Sequence, residues 1–268
     1  MLTDTHCHLT YPELAPQLDA VLERAAQAGV TRAITVATSP ADARLAIPLL
    51  AAHPQVYLAA GVHPHEAGKV GPDELAALAD LHRGRWADGP QAARLVAVGE
   101  TGLDFHYDFA PRERQEEVFR FQLRLACEVG RPVIIHAREA EERVCDILEE
   151  FAELASRVVF HCFSGGAELA QRVLDLGHWL SFTGVVTFQN ADTIREAARM
   201  APADRIMVET DAPYLSPLPL RKIRPCEPAF VAHTARRLAE LRGCRFEAFA
   251  SMTTANAERF FELQEART

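Results

Sequence analysis

Short apolar runs rich in β-branched residues alternate eight times with longer helix-periodic stretches along this chain, and no other feature limits its fold as tightly. The candidate strands lie near residues 2–8, 32–37, 56–61, 94–99, 132–136, 157–161, 178–183 and 205–210. Eight βα units in 268 residues match a closed (β/α)8 TIM barrel, whose typical length is about 250 residues. A doubly wound open sheet shares the alternation, but it usually carries a glycine-rich turn after its first strand, and here that turn reads His6-Cys7-His8-Leu9. The expectation is therefore an α/β barrel forming one domain over residues 1–268, without internal repeats or low-complexity tracts. From Glu113 to Val129 the residues Val118, Phe121, Leu125 and Val129 recur along one helical face, and Gly130 and Pro132 then stop the helix. A last helix is expected over Phe246–Phe261, and a loop over Gly84–Ala93 before the fourth strand. The acidic run from Glu139 to Glu150 reads as a solvated helix face.

Composition narrows the class further. A hydrophobic content of 49% is enough for a sizeable core. The six cysteines are scattered, with no CxxC pair, and no secretion signal is evident, so reduced thiols and a cytoplasmic location are expected. No apolar run approaches the roughly 18 residues of a membrane span, so no membrane partner is expected. The net charge of −9 argues against a broad basic nucleic-acid surface. It does not exclude a nuclease, because bound cations can supply positive charge where a phosphate docks. The oligomeric state stays open, a monomer being compatible with everything above.

The barrel reading gives meaning to scattered polar residues. In a parallel barrel the C-terminal strand ends converge on one face. His6 and His8 lie one residue apart on the first strand, and period-2 geometry puts them, with Asp4, on one side, where two imidazoles can grip a metal. Glu100, His136, His161 and Asp211 each follow a later apolar run at its C-terminal end. Four imidazoles and two carboxylates exceed what one open catalytic metal needs and suit two. Chance placement of so many ionisable groups at strand ends would bury them without partners, at high cost.

The residues then resemble a known series. Asp4-Thr5-His6-Cys7-His8, Gly61-Val62-His63-Pro64-His65, Gly99-Glu100-Thr101-Gly102-Leu103-Asp104, Ile135-His136-Ala137-Arg138, His161-Cys162-Phe163-Ser164-Gly165 and Glu209-Thr210-Asp211-Ala212-Pro213-Tyr214-Leu215 resemble, in order and over nearly the whole chain, the motifs of the TatD family of metal-dependent deoxyribonucleases. The resemblance implies a barrel with two divalent ions acting on DNA, often as a 3′ to 5′ exonuclease preferring single strands, with a role in DNA repair or degradation. It implies that His6, His8 and Asp211 hold one metal, His136 and His161 the other, and that Glu100 bridges them. One departure is visible: Arg224-Pro225-Cys226-Glu227-Pro228 stands where the family usually has an Arg-Asn-Glu-Pro-like turn. Cys226 is read as a neutral swap in a structural turn, the alternative being a changed substrate contact.

Further roles follow by position. Two cations a few ångströms apart would activate a water for attack on a phosphodiester, with Asp211 orienting it or taking its proton and Glu100 indispensable as the bridge. Mg²⁺ or Mn²⁺ is expected from the nuclease reading, while the imidazole-rich donor set also suits Zn²⁺. His63, His65 and Arg138 are the expected substrate-binding residues, with Ser164 a further phosphate candidate. Asp104 can orient a metal-binding histidine from behind. Phe105, Tyr107, Phe163 and Tyr214 are candidates to stack on unpaired bases, and Arg221, Lys222 and Arg224 form a local basic cluster that can guide a nucleic-acid backbone. The competing reading is a metal-dependent amide or ester hydrolase of the amidohydrolase-like group, which bridges its metals with a carboxylated lysine. Only Lys69 and Lys222 are present, neither at a strand end, which weighs against it.

Overall fold

Eight parallel strands pair in chain order, each with the next, in the computed structural model, which describes residues 1–86 and 93–263. They are β1 (Leu2–Cys7), β2 (Val30–Ala37), β3 (Val56–Ala60), β4 (Leu95–Asp104), β5 (Val133–Arg138), β6 (Val158–Phe160), β7 (Trp179–Phe182) and β8 (Ile206–Val208). Between them run α1 (Leu18–Gln27), α2 (Pro40–Ala52), α3 (Pro72–His82), α4 (Arg112–Val129), α5 (Glu141–Leu148), α6 (Ala167–Asp175) and α7 (Asp192–Met200). Then α8 (Val231–Leu241) and α9 (Phe246–Phe261) follow β8. The ring closes just past β8, where Cys7 bridges Ala212, Asp211 N donates to His6 O at 2.9 Å and His8 N donates to Ala212 O at 2.7 Å. This is a (β/α)8 TIM barrel, as the alternation predicted. Residues 87–92 of the expected loop lie outside the described residues. Among the described residues, no helix is long and apolar enough to cross a membrane.

Period-2 alternation sorts the strand residues into two environments. Val133, Ile135, Val158, Phe160, Leu180, Phe182, Ile206 and Val208 pack in one buried cluster with apolar residues of the surrounding helices. Ile134, Val159, Trp179 and Met207 belong to a second cluster, with Ala257, Phe260, Phe261 and Leu263 at the C-terminal end of the chain. Trp179 and Phe260 meet edge to face, with ring centroids 5.2 Å apart. Two residues further along β5 to β8, the alternation turns polar: Ile134 gives way to His136, Val159 to His161, Trp179 to Ser181 and Met207 to Glu209. Each fully buried aliphatic or aromatic side chain contributes about 1.5–3 kcal/mol, so the apolar layers sustain the cost of the polar one above them.

Two elements differ from the expectation. β4 was expected to stop before Glu100, yet it runs to Asp104. Its register with β5 slips between the pairs Val98↔Val133 and Thr101↔Ile135, three residues facing two. Such a bulge re-aims a side chain without ending the strand, and here the re-aimed segment contains Glu100. Helix α4 ends at Gly130, in the left-handed conformation with φ 65°, as the sequence implied. Its buried face, however, centres on Val118, Phe119, Gln122, Leu123, Leu125 and Ala126, leaving Phe121 and Val129 only half-buried. Gln122 and Gln115 are part of that face because their amides clamp backbone after β3 and at the end of β4: Gln122 accepts from Val62 N at 2.8 Å and donates to Val62 O at 3.0 Å, and Gln115 accepts from Asp104 N at 2.8 Å and donates to Asp104 O at 3.0 Å. Counting only apolar residues misses such a face.

Candidate metal centre

The six residues singled out as donors converge at the C-terminal mouth of the barrel, although they come from five different strand ends. His6 lies on β1 and His8 just beyond it; their Nε2 atoms are 3.3 Å apart. Closure of the barrel brings Asp211 to them, with Oδ1 3.4 Å from His8 Nε2 and 3.8 Å from His6 Nε2. Asp211 holds a left-handed backbone, φ 58°, at the point where the chain leaves β8. Glu100 is buried between two groups of histidines. Its Oε2 is 3.4 Å from His6 Nε2, while its Oε1 is 2.9 Å from His136 Nδ1 and 3.5 Å from His161 Nε2. Donor atoms of His6, His8 and Glu100 could hold one cation, and those of Glu100, His136 and His161 another. His6, His161 and Asp211 form a further overlapping group, and the rings of His6 and His161 stack at 3.6 Å.

A ring nitrogen can serve a metal only if the hydrogen sits on the other one. Three of the four histidines meet that condition through a fixed partner behind them. His8 Nδ1 is 2.9 Å from the carbonyl of Val36, His161 Nδ1 is 2.7 Å from Glu209 Oε1, and His136 Nε2 is 3.0 Å from Asp104 Oδ2. Each partner is an acceptor, so the hydrogen is held away from the cluster and the inward nitrogen keeps its lone pair. The Nδ1 of His6 is buried and has no such partner.

Glu209 and Asp104 are themselves held firmly. Glu209 accepts from Cys162 N at 2.6 Å and from Ser181 Oγ at 2.6 Å, and Asp104 accepts from the backbone of His106 and Tyr107, each at 3.0 Å. Asp104 Oδ2 also meets His65 Nε2 at 2.8 Å. Asp104 thus stands where the sequence reading put it, behind a histidine. Glu209 was quoted there only as part of a motif. Its signal was the polar residue two positions after Met207, just past the end of β8.

Electrostatics favour a cation. Burial alone would push Glu100 up, yet His161, His63 and His6 hold its carboxyl well below the usual range. Burial alone would push His161 down, yet Glu209 and Glu100 raise it to about 10. His8 and His136 are raised in the same way, against burial, chiefly by Asp211 for the one and by Asp104 and Glu100 for the other. His6 is lowered, by burial and by the neighbouring His161. A buried carboxylate centre that draws protons onto its imidazoles demands positive charge, and a divalent ion can meet that demand in place of the protons.

The mouth opens into a cavity of about 860 Å³ lined by His63, His65, Arg138, Ser164 and Tyr214 among others. His63 Nε2 lies 3.2 Å from His136 Nδ1 and 3.6 Å from Glu100 Oε1. Its Nδ1 accepts the backbone N–H of His65 at 3.1 Å, so the neutral ring carries its hydrogen on Nε2, toward the cluster. Burial holds His63 well below its ordinary value. Arg138 is exposed, with its guanidinium 4.8 Å over the Tyr107 ring.

Other expected residues lie elsewhere. Asp4 does not join His6 and His8: the register of β1 shifts between Asp4 and Cys7, and the Asp4 carboxylate accepts from Thr210 N at 2.9 Å and Thr210 Oγ1 at 2.6 Å. Burial pushes it up to about 8. Phe163 is core, packed on Phe182, and Phe105 lies half-buried beneath the Arg112 guanidinium, so neither is available at the mouth. Arg221, Lys222 and Arg224 are exposed after β8, Arg221 lying 3.6 Å over Phe188, and none is among the described residues lining the cavity. Cys226 is fully buried in one cluster with Cys7 and Ala212, which agrees with a structural turn. Tyr11 and Phe109 line the cavity and were missed.

Comparison with known proteins gives a consistent set of likenesses. A family model described as TatD related DNase matches residues 3–262. An uncharacterized metal-dependent hydrolase YabD of Bacillus subtilis is 39% identical over 263 residues, covering 98% of this chain and 100% of that protein. The 3′-5′ ssDNA/RNA exonuclease TatD of Erwinia tasmaniensis is 36% identical over 265 residues, covering 97% and 99%. Among solved structures, the TatD homolog YjjV of Escherichia coli K12 superposes with a TM-score of 0.91 at 31% identity, covering 98% of both chains.

Proposed function

Because the chain belongs to the TatD related DNase family, we propose that it is a divalent-metal-dependent hydrolase of phosphodiester bonds, working with two ions as a 3′ to 5′ exonuclease on single-stranded DNA. The observation that carries this reading is the division of Glu100, whose two oxygens face different histidine groups. In this reading His6, His8 and Asp211 hold one ion, His136 and His161 the other, and Glu100 spans both. Relatives named as ssDNA/RNA exonucleases support the substrate class. Mg²⁺ or Mn²⁺ suits a nuclease, and Zn²⁺ suits the imidazoles.

When bound, the ions supply Lewis acidity toward the phosphoryl oxygens and make a water nucleophilic near neutral pH. The chain's own groups do the rest. Asp211 Oδ1, beside His8, takes the proton of the attacking water. His63, whose Nε2–H lies beside His136 and Glu100 at the cavity wall, donates to the phosphate or to the leaving oxygen. Arg138, exposed at the mouth over the Tyr107 ring, pairs with a phosphate, and Ser164 adds a hydroxyl. No lysine is available to bridge the metals as a carbamate: Lys69 is on the surface, paired with Glu66 at 2.7 Å, and Lys222 is exposed. That favours phosphodiester over amide chemistry.

The test uses single-stranded DNA labelled at the 5′ end, with chelator-treated protein restored with Mn²⁺ or Mg²⁺, and an amide and an ester substrate in parallel. A ladder shortening from the 3′ end, absent with chelator, is the expected result. Cleavage of the acyl substrates alone would overturn the proposal.

A further inference from the structure

Aromatic side chains stand on two opposite rims of the mouth, and we infer that they form two nucleobase-stacking subsites, one on each side of the bond that is cut. The inference rests on the phosphodiesterase reading above and goes on to specify what flanks the phosphate. One rim is built by Tyr11, after β1, and Tyr214, after β8, with ring centroids 6.2 Å apart. Tyr11 stacks on His8 at 4.7 Å and an interplanar angle of 20°. The other rim is built by Tyr107 and Phe109 in the loop after β4, with centroids 5.3 Å apart, and Phe109 lies 4.6 Å from His65.

Strand order fixes how the rims are related. The eight strands pair in sequence, so in the closed ring the β8–β1 pair lies half a turn from the β4–β5 pair. Glu100 and its histidines lie between. A strand that lies across the mouth along this axis, with its phosphate on that cluster, passes one aromatic rim on each side.

The rims have the chemistry of base recognition. Tyr214 is 49% exposed and Phe109 61%, so large apolar faces stand open in a cavity whose centre is polar, while Tyr107, 41% exposed, carries the Arg138 guanidinium over one face. Every nucleobase offers a π-face, so stacking on such rings tolerates any sequence. Arg138 lies over Tyr107, next to the second rim, where the adjoining phosphate of the strand would pass. A duplex has both faces of each internal base already stacked, so only an unpaired strand can present bases to both rims.

The test compares single-stranded oligonucleotides that are intact, or abasic at the nucleotide immediately 5′ or immediately 3′ of the cleaved bond, using the Mn²⁺-loaded protein. The readout is the ratio of kcat/KM for intact over abasic substrate at each position, with the melting temperature of every variant as a check on folding. Wild type is expected to favour the intact substrate about 10-fold at both positions. Tyr214→Ala should bring the ratio near one on one side only, Phe109→Ala on the other side only, and Phe109→Trp should retain it. Wild-type ratios of one, variants that slow every substrate by the same factor, or both alanine variants erasing the same side would overturn the two-subsite inference while leaving the phosphodiesterase reading standing. Failure of the wild type to cut any of the oligonucleotides would overturn both.

Discussion

Glu209 belongs to none of the groups that could hold a cation, yet it lies directly behind one of their histidines. It fixes the His161 ring through Nδ1 and is held by Ser181 and the backbone of Cys162. Glu209→Gln keeps the size but loses the charge that raises the basicity of His161. We predict a 10- to 100-fold loss of metal affinity with the fold retained, read by titration of Mn²⁺ followed by calorimetry and by the circular dichroism spectrum. Affinity equal to wild type would mean that His161 needs no such support. The sequence made His161 legible because it follows Val158-Val159-Phe160, whereas Glu209 sits within two residues of Asp211 and was overshadowed by it. Asp4 failed in the opposite direction: strict alternation placed it beside His6, and a shift in the β1 register turned it to Thr210.

At the level of elements, the strands were readable because each carries its own apolar run, and their order followed from the alternation. The bulge in β4 was not readable, because it depends on how closely β5 approaches. Gly102 has φ 140°, and a Cβ added there would lie 2.0 Å from the carbonyl oxygen of His136. Only glycine lets β4 run that close to the strand that carries His136. Gly102→Ala should cost about 2–4 kcal/mol through backbone strain and overpacking, measured by urea denaturation, and should weaken metal binding along with it. A stable variant with intact metal affinity would contradict this account of the β4–β5 contact. Helix α4 gives the same lesson, since its glutamines Gln115 and Gln122 are buried to hold backbone rather than to fill space.

The molecule as a whole carries buried neutral histidines away from the mouth. His82 donates from Nε2 to the carbonyl of Ala60 at 2.9 Å, and burial lowers its pKa from 6.5 to about 4; burial lowers His178 to about 4 as well. Both bind protons more readily once the chain unfolds. Their contribution is therefore complete above about pH 6.5 and is lost as pH falls toward 4, at about 2 kcal/mol per group between pH 6.5 and 5. We predict that the urea midpoint drops over this interval and that His82→Gln, which keeps a donor for Ala60, reduces the drop. An unchanged pH dependence in that variant would assign the acid sensitivity elsewhere.

The central claim is that Glu100 joins two cation sites, one from His6, His8 and Asp211 and one from His136 and His161, and the count of bound metal tests it most directly. Chelator-treated protein dialysed against Mn²⁺, or against Zn²⁺, and analysed by elemental mass spectrometry should hold two ions per chain, while Glu100→Ala should retain its fold, hold fewer than two and lose cleavage. A wild-type count of one or none, or a Glu100→Ala protein that still binds two ions and cuts at the wild-type rate, would contradict it.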